Sequence, residues 1–170
     1  MDFTRNLSYH RALQNHLKDS DELIFWIHMY NNAIDLAVLD WFHLFGNHND
    51  DLHWKSIVHN VDRFKQGLLQ SISYSAQEWK AYHEKIKNYR DKDIAHIELK
   101  PLSHVPEMTQ ALRAAAYYYA AVLEELQGYA IYDDSPQDLN DYYEKNFAQA
   151  MVIAASAYHA TLGIKEMVGK

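Results

Sequence analysis

Residues 23–46, LIFWIHMYNNAIDLAVLDWFHLFG, decide the fold class of this chain. Apolar side chains recur in this stretch at alternating spacings of four and three residues, which is the period of one face of an α-helix. Ser20 and Asp21 are the predicted N-terminal cap, and Gly46-Asn47 ends the pattern. The stretch therefore predicts one long helix, with an apolar stripe formed by Leu23, Ile27, Tyr30, Ile34, Ala37, Trp41 and Leu44.

Helical periodicity also dominates the rest of the chain. Short helices are predicted over 51–59 and 61–71, and longer ones from near Ser75, after Pro106 and after the turn-rich residues 128–138. The chain has only 5 Gly and 3 Pro and no run of alternating β-branched residues. We therefore predict an all-α fold, a helical bundle of four long helices with short additional helices. Its later apolar stripes are Trp79, Tyr82, Ile86 and Tyr89; Leu112, Ala115, Tyr119, Val122 and Leu126; and Tyr143, Phe147, Ala150, Ala154, Ala157 and Thr161.

Composition restricts the classes of function. With 170 residues and 48% hydrophobic content, the chain is long enough for one sizeable core, so a single domain over 1–170 is expected. The absence of cysteine excludes disulfides, thiolate zinc sites and a cysteine nucleophile. A net charge of -7 means that any contact with nucleic acid must be local. The most apolar run, 147–164, is interrupted by polar residues, so we expect a soluble, cytoplasmic protein with no membrane association.

The segment from Arg90 to His96, RDKDIAH, is the strongest candidate for chemistry. An arginine binds a phosphate through a planar fork of donors, and a histidine exchanges protons near neutral pH. The same pattern, in which a histidine follows an arginine after four to six residues, also occurs from Arg5 to His10 and from Arg11 to His16. We favour the Arg90 match because it ends a long amphipathic stretch in mid-chain, whereas Arg5 lies at a terminus that we expect to be frayed.

Helix geometry limits how Arg90 and His96 can meet. Six residues on an unbroken α-helix amount to about 600°, which leaves the two side chains about 120° apart. The pair can share a site only if the helix breaks near 91–93, or if the two residues meet across a subunit interface. In a purely structural interpretation, Arg90 pairs with Asp91 or Glu98 and His96 caps a helix end.

The string from Arg90 to His96 resembles the signature of the HEPN superfamily, which is an arginine, a polar residue, a few more residues and a histidine. Residues 41–46, followed by His53-Trp54-Lys55, are similar to HEPN proteins of abortive-infection type. The resemblance covers roughly residues 20–125, and only the short motif is specific. It implies a HEPN-like helical bundle whose protomers pack side by side, with paired arginines and histidines forming one metal-independent ribonuclease cleft.

The resemblance also implies roles for individual residues. His96 would be the acid/base, Arg90 the phosphate clamp and transition-state stabiliser, and Asp91 the polar neighbour that orients them. Lys92 and Tyr89 are adjacent candidates for phosphate contact and packing. On this basis the chain is predicted to be an endoribonuclease that acts as a homodimer on RNA, in a toxin or defence setting.

One departure from the family narrows the prediction. HEPN toxins that are paired with a nucleotidyltransferase antitoxin carry a tyrosine two residues after the histidine, where it is adenylylated, and this chain has Glu98 there. Many HEPN domains are also inactive. The alternative prediction is therefore a non-catalytic HEPN-like helical module that binds RNA or a protein partner, including an antitoxin.

A group of histidines and carboxylates in mid-chain is a candidate metal site. Imidazole and carboxylate ligands suit zinc, iron or manganese. The chain has no HExxH string and no Glu-x-x-His pair, which argues against a di-iron bundle. We predict no metal and no cofactor, although metal binding by this region stays open; its members are His43, His48, Asp50, Asp51, His53, His59 and Asp62.

Overall fold

The computed structural model describes residues 1–17, 24–46, 51–94, 105–127 and 135–168, and the side chains of those up to 161. All regular structure within these ranges is helical and none is β-strand, which confirms the predicted all-α class. The helices are α1 (Asp2–Gln14), α2 (Ile24–Phe45), α3 (Trp54–Ile57), α4 (Val61–Ile72), α5 (Ala76–Tyr89), a π-helical turn (Arg90–Ile94), α6 (Thr109–Glu125) and α7 (Leu139–Val168).

Several helix ends form where the sequence predicts them. The Ser75 side chain accepts a hydrogen bond from the Glu78 backbone N–H, and the Glu78 side chain accepts one from the Ser75 N–H. This capping box satisfies two backbone donors that the first turn of α5 leaves unpaired. α2 ends at Phe45, directly before Gly46 as expected. The predicted cap of α2 at Ser20 and Asp21 lies outside the described residues.

The N-terminal segment differs from the prediction. We expected a frayed terminus around Arg5, but residues 2–14 form helix α1. Phe3, Leu7 and Ala12 are 3%, 1% and 0% exposed, so this helix is part of a core. Burial of that apolar face stabilises α1, although its N-terminus has no side-chain cap.

Two predicted stripes face a slightly different direction from the one expected. In α2, Ile34, Ala37 and Trp41 are buried as predicted, but Ile27 is 43% exposed and Trp26 is buried instead. In α6, Tyr118 is buried, and the neighbouring Tyr119 donates its hydroxyl to the Pro136 carbonyl at 2.8 Å. The periodicity was therefore right in both helices, while the buried sector is rotated by about one residue.

The chain folds into two compact units. Unit 1 contains residues 1–37 and 141–170, and unit 2 contains residues 38–140. The single domain over 1–170 stays a prediction. Among the described helices, none combines the length and the apolar character that crossing a bilayer requires.

Unit 2 has an aromatic core centred on Trp41, which is fully buried. Its ring centroid lies 5.1 Å from that of Phe45, 5.8 Å from that of Trp79 and 5.6 Å from that of His83. The interlocking rings fix α5 against the second half of α2. This packing positions the end of α5, where the candidate motif begins.

Candidate functional site around Arg90

The motif starts where α5 changes its winding. α5 ends at Tyr89, and residues Arg90–Ile94 continue it as one π-helical turn. The helix therefore widens over 91–93 and does not break there, in contrast to one of the two geometries that we considered. Single π-helical turns within α-helices are often found at functional sites, because they change the direction of the side chains that follow.

Arg90 lies over an aromatic ring of α2. The carbon at the centre of its guanidinium group is 4.2 Å from the centroid of the Phe42 ring, which is within the range of a cation–π interaction. Phe42 is 7% exposed, so it provides a fixed, buried platform. A Cβ atom on Gly46 would lie only 2.0 Å from Cδ1 of that ring. The glycine that ends α2 thus also leaves space for the ring beneath Arg90.

Asp91 holds the other side of the Arg90 side chain. Its Oδ1 accepts a hydrogen bond from Arg90 Nε at 2.7 Å and a second one from Arg90 Nη2. Its Oδ2 accepts a hydrogen bond from Lys87 Nζ at 2.8 Å. The Lys87 and Arg90 hydrogen bonds lower the pKa of the Asp91 carboxyl below its usual value, against an opposing effect of burial. Asp91 is therefore ionised at neutral pH and bridges two cations.

The Arg90 guanidinium keeps a partly open edge. Its side chain is 29% exposed, and Asp91 contacts its Nε–Nη2 edge. Among the described residues, no acceptor is bound to its Nη1 group. An arginine held in this way presents donors in a fixed direction, which is what bidentate recognition of a phosphate requires.

The remaining predicted site residues differ in how far the structure describes them. Lys92 is exposed on the π-helical turn, and Tyr89 is 7% exposed and packs in the interior. His96 and Glu98 lie outside the described residues. The structure thus brings Arg90 and Asp91 together with Lys92 on the same turn, and the position of His96 relative to them is not described.

His53 and His59 of the mid-chain group serve local structure. His53 is fully buried, and its Nδ1 accepts a hydrogen bond from the Lys55 backbone N–H, which caps α3. The Glu125 carboxylate accepts hydrogen bonds from His59 Nδ1 and, at 3.1 Å, from the His59 backbone N–H. Within the described ranges, no three histidine or carboxylate side chains are grouped as a metal site requires. His48 and Asp50 lie outside those ranges.

Two members of the site were not among the predicted site residues. Lys87 is one helical turn before Asp91, so the i,i+4 rule for ion pairs could have identified it. Phe42 lies 48 positions before Arg90, and only tertiary packing brings the two together. No signal in the chain alone would have predicted that contact.

The chain matches no family model, no curated protein and no solved structure.

Proposed function

We propose that this chain is a metal-independent endoribonuclease that acts as a homodimer in a toxin or defence role. Arg90 binds the scissile phosphate, His96 transfers protons, and Asp91 orients Arg90. The observation that carries the proposal is the fixed guanidinium, which lies between the Phe42 ring and the Asp91 carboxylate with one edge partly open.

The fixed arginine suits the charge that develops during RNA cleavage. When the 2′-oxygen attacks phosphorus, negative charge grows on the non-bridging oxygens, and donors that are already in place stabilise it without reorganising. Asp91 and Phe42 restrict Arg90 before any ligand arrives, so little side-chain entropy remains to be lost on binding. The exposed Lys92 supplies a second cation on the same turn for an adjacent phosphate.

The proton transfers of RNA cleavage explain why a dimer is proposed. A base removes the 2′-hydroxyl proton, the 2′-oxygen forms a bond to phosphorus, and the bond to the 5′-oxygen breaks while an acid protonates that oxygen. The products are a 2′,3′-cyclic phosphate and a 5′-hydroxyl. One imidazole cannot be base and acid in the same step, but a two-fold dimer provides two copies of His96. Free imidazole titrates near neutral pH, so this type of side chain can act as a base or as an acid.

The test compares wild-type protein with Arg90→Ala and His96→Ala on total RNA in excess EDTA, followed on a denaturing gel. We expect cleavage by the wild type, with ends that phosphatase releases only after acid opens the cyclic phosphate. Each variant should lose at least a hundredfold in rate, as is typical when an acid/base or charge-stabilising group is removed. Arg90→Lys keeps the charge without the fork and should recover little activity.

A matched control uses another cation of the same helix. Lys85 is exposed on α5 and belongs to no ion pair among the described residues, so Lys85→Ala should cleave as the wild type does. Equal cleavage by His96→Ala would make the assignment of His96 wrong. If total RNA stays intact with the wild type, the ribonuclease proposal fails.

A second candidate function is a non-catalytic helical module that binds RNA or a protein partner. The ion pairs of Asp91 with Lys87 and Arg90 favour it, because they give all three residues a structural use. In that case Asp91→Asn lowers the stability of unit 2. Arg90→Ala weakens binding of the ligand, and neither the wild type nor the variant forms a cleavage product. Filter binding of a labelled RNA in EDTA separates the two functions, since the module retains intact RNA and the enzyme releases fragments.

A further inference from the structure

Unit 1 contains an apolar groove between three helices. The groove has a volume of about 510 Å³ and is lined by α1, α2 and α7. Its floor consists of small side chains, among them Ala33, Ala150 and Ala154, each at most 8% exposed. We call this feature the α2–α7 groove. Small residues on the floor let another helix approach closely, as at other helix–helix contacts.

Large apolar side chains stand exposed along the α2–α7 groove. Met29, Leu36 and Ile153 line it and are 38%, 50% and 64% exposed. Phe25 precedes Met29 by four residues and Leu36 follows it by seven, so the three form one stripe of α2 with the spacing of a coiled-coil seam. A contiguous exposed apolar surface of this kind marks a site of interaction.

We infer that the α2–α7 groove is a self-association surface, on which a second copy of this chain packs its own α2 and α7 across a two-fold axis. The inference concerns self-association through unit 1, and it holds whether or not the chain cleaves RNA. In a two-fold contact the same patch serves both subunits, so the surface must complement itself.

The charge distribution favours a second copy as the occupant. Each chain carries a net charge of -7, so two copies repel each other over most of their surfaces. The described lining of the α2–α7 groove has no charged side chain. Its polar members are carboxamides, including Asn32 and Gln149, which both donate and accept hydrogen bonds. A neutral patch with carboxamides can therefore face its own copy without like-charge repulsion.

The exposed area also fits a dimer. Six side chains that line the α2–α7 groove are exposed, which corresponds to roughly 100 Å² each. Two copies would bury about 1,200 Å² in total, the lower limit of a standard specific interface. A small molecule that fills the groove would leave most of this rim in water. The six residues are Tyr9, Met29, Asn32, Leu36, Gln149 and Ile153.

The test measures the mass of the full chain in solution by light scattering and sedimentation equilibrium. We expect wild-type protein at twice the chain mass of 19.9 kDa. Leu36→Glu and Ile153→Glu place a charge in the neutral patch and should raise the dissociation constant at least tenfold. Leu52→Glu is the matched control, because Leu52 is 55% exposed in unit 2 and should leave the dimer intact.

Two outcomes would overturn the inference. One is wild-type protein at the single-chain mass up to its solubility limit, and another is a dimer that persists in both Leu36→Glu and Ile153→Glu. Both positions are solvent-exposed, and far-UV circular dichroism checks that each variant keeps its helices. Arg90→Ala should remain dimeric. Loss of the dimer at the α2–α7 groove and loss of RNA cleavage at Arg90 are therefore separate results.

Discussion

The two units of this chain achieve their packing with different side chains. Unit 2 is built around large rings, with Trp41, Trp79 and Phe45 in mutual contact and Trp41 fully buried. Unit 1 has small residues such as Ala12 and Ala37 at its most buried positions, both 0% exposed. Among the described residues, nine of the eleven exposed large apolar side chains belong to unit 1.

This difference corresponds to different uses of hydrophobic surface. In unit 2 the rings fix helix positions, and that rigidity extends through Phe42 to Arg90. In unit 1 the apolar surface is only partly used within the chain, so the remainder is available for association. The comparison predicts that substitutions in the ring cluster act mainly on stability, whereas those along the α2–α7 groove act mainly on oligomeric state.

The largest expected effect on stability comes from substituting the two tryptophans of α2. One of them belongs to unit 1 and the other to unit 2, so they form a matched pair. Trp41→Ala leaves a closed cavity among the rings and should cost about 3–5 kcal/mol of unfolding free energy. Trp26 is 9% exposed and lines the α2–α7 groove, so the space left by Trp26→Ala opens to that groove. We expect its cost to be smaller by about 1 kcal/mol or more. Urea denaturation followed by circular dichroism measures both.

Equal losses of unfolding free energy in Trp41→Ala and Trp26→Ala would contradict the proposed difference between the two units. Trp26 also donates a hydrogen bond from Nε1 to Thr161 Oγ1 at 2.9 Å. Thr161→Val controls for that bond, which is worth about 1 kcal/mol. Subtracting its effect leaves the packing contribution of the Trp26 indole alone.

The next effect concerns the ring beneath Arg90. Gly46→Ala forces the Phe42 ring away from a Cβ atom that would otherwise lie 2.0 Å from Cδ1. Overpacking of this kind should lower the free energy of unfolding by about 1–3 kcal/mol. The same displacement removes the platform of Arg90, so RNA cleavage should fall even under conditions where the variant is fully folded. Gly46→Ala with unchanged stability would show that the ring moves freely.

A smaller effect is expected at the start of α5. Ser75→Ala removes the side-chain half of the capping box and should cost about 1 kcal/mol. Ser71→Ala is the control, because the Ser71 hydroxyl binds the Leu68 carbonyl within helix α4 and caps no helix end. Thermal unfolding of the two variants side by side measures the difference. A loss at Ser71 as large as that at Ser75 would argue against the cap.

The sequence predicted these elements unevenly, for physical reasons. The helix that begins near Ser75 was predicted from the apolar repeat that starts at Trp79, and the end of α2 was predicted because Gly46 disfavours a helix. The side of α2 that is buried was less predictable. Residues 24–30 are apolar nearly all round, so the period fixes the angles between side chains and leaves the buried sector open.

Long-range contacts explain why the candidate site was predicted only in part. The local string gave Arg90 and Asp91, whose hydrogen bonds join neighbouring residues. The Phe42 contact requires α2 and α5 to be packed already, so no pattern within the motif contains it. Helix α1 was missed for a similar reason, because its buried face becomes evident only once the other helices of unit 1 cover it.

The smallest expected effect is a pH dependence in unit 1. His10 is 6% exposed, its ring stacks on Tyr30 with centroids 4.1 Å apart, and its Nδ1 donates to the Tyr30 carbonyl at 3.1 Å. Burial lowers the pKa of His10 below 6.5, and the neighbouring Arg11 charge lowers it further, against the raising effect of the carbonyl hydrogen bond. The folded state therefore holds His10 neutral at pH values where the unfolded chain takes up a proton.

The sign of the effect follows from proton linkage. Below pH 6.5 the unfolded state binds more protons at this position, so stability falls as the pH drops towards the lowered folded pKa and is fully present above 6.5. His10→Gln keeps a donor for the Tyr30 carbonyl but does not titrate. Between about pH 7.5 and about pH 5.5, wild-type protein should lose more unfolding free energy than His10→Gln does. The other ten histidines are common to both proteins and cancel in the difference. An equal loss in both would mean that His10 is protonated in the folded state, and that the core of unit 1 is open to water at α1.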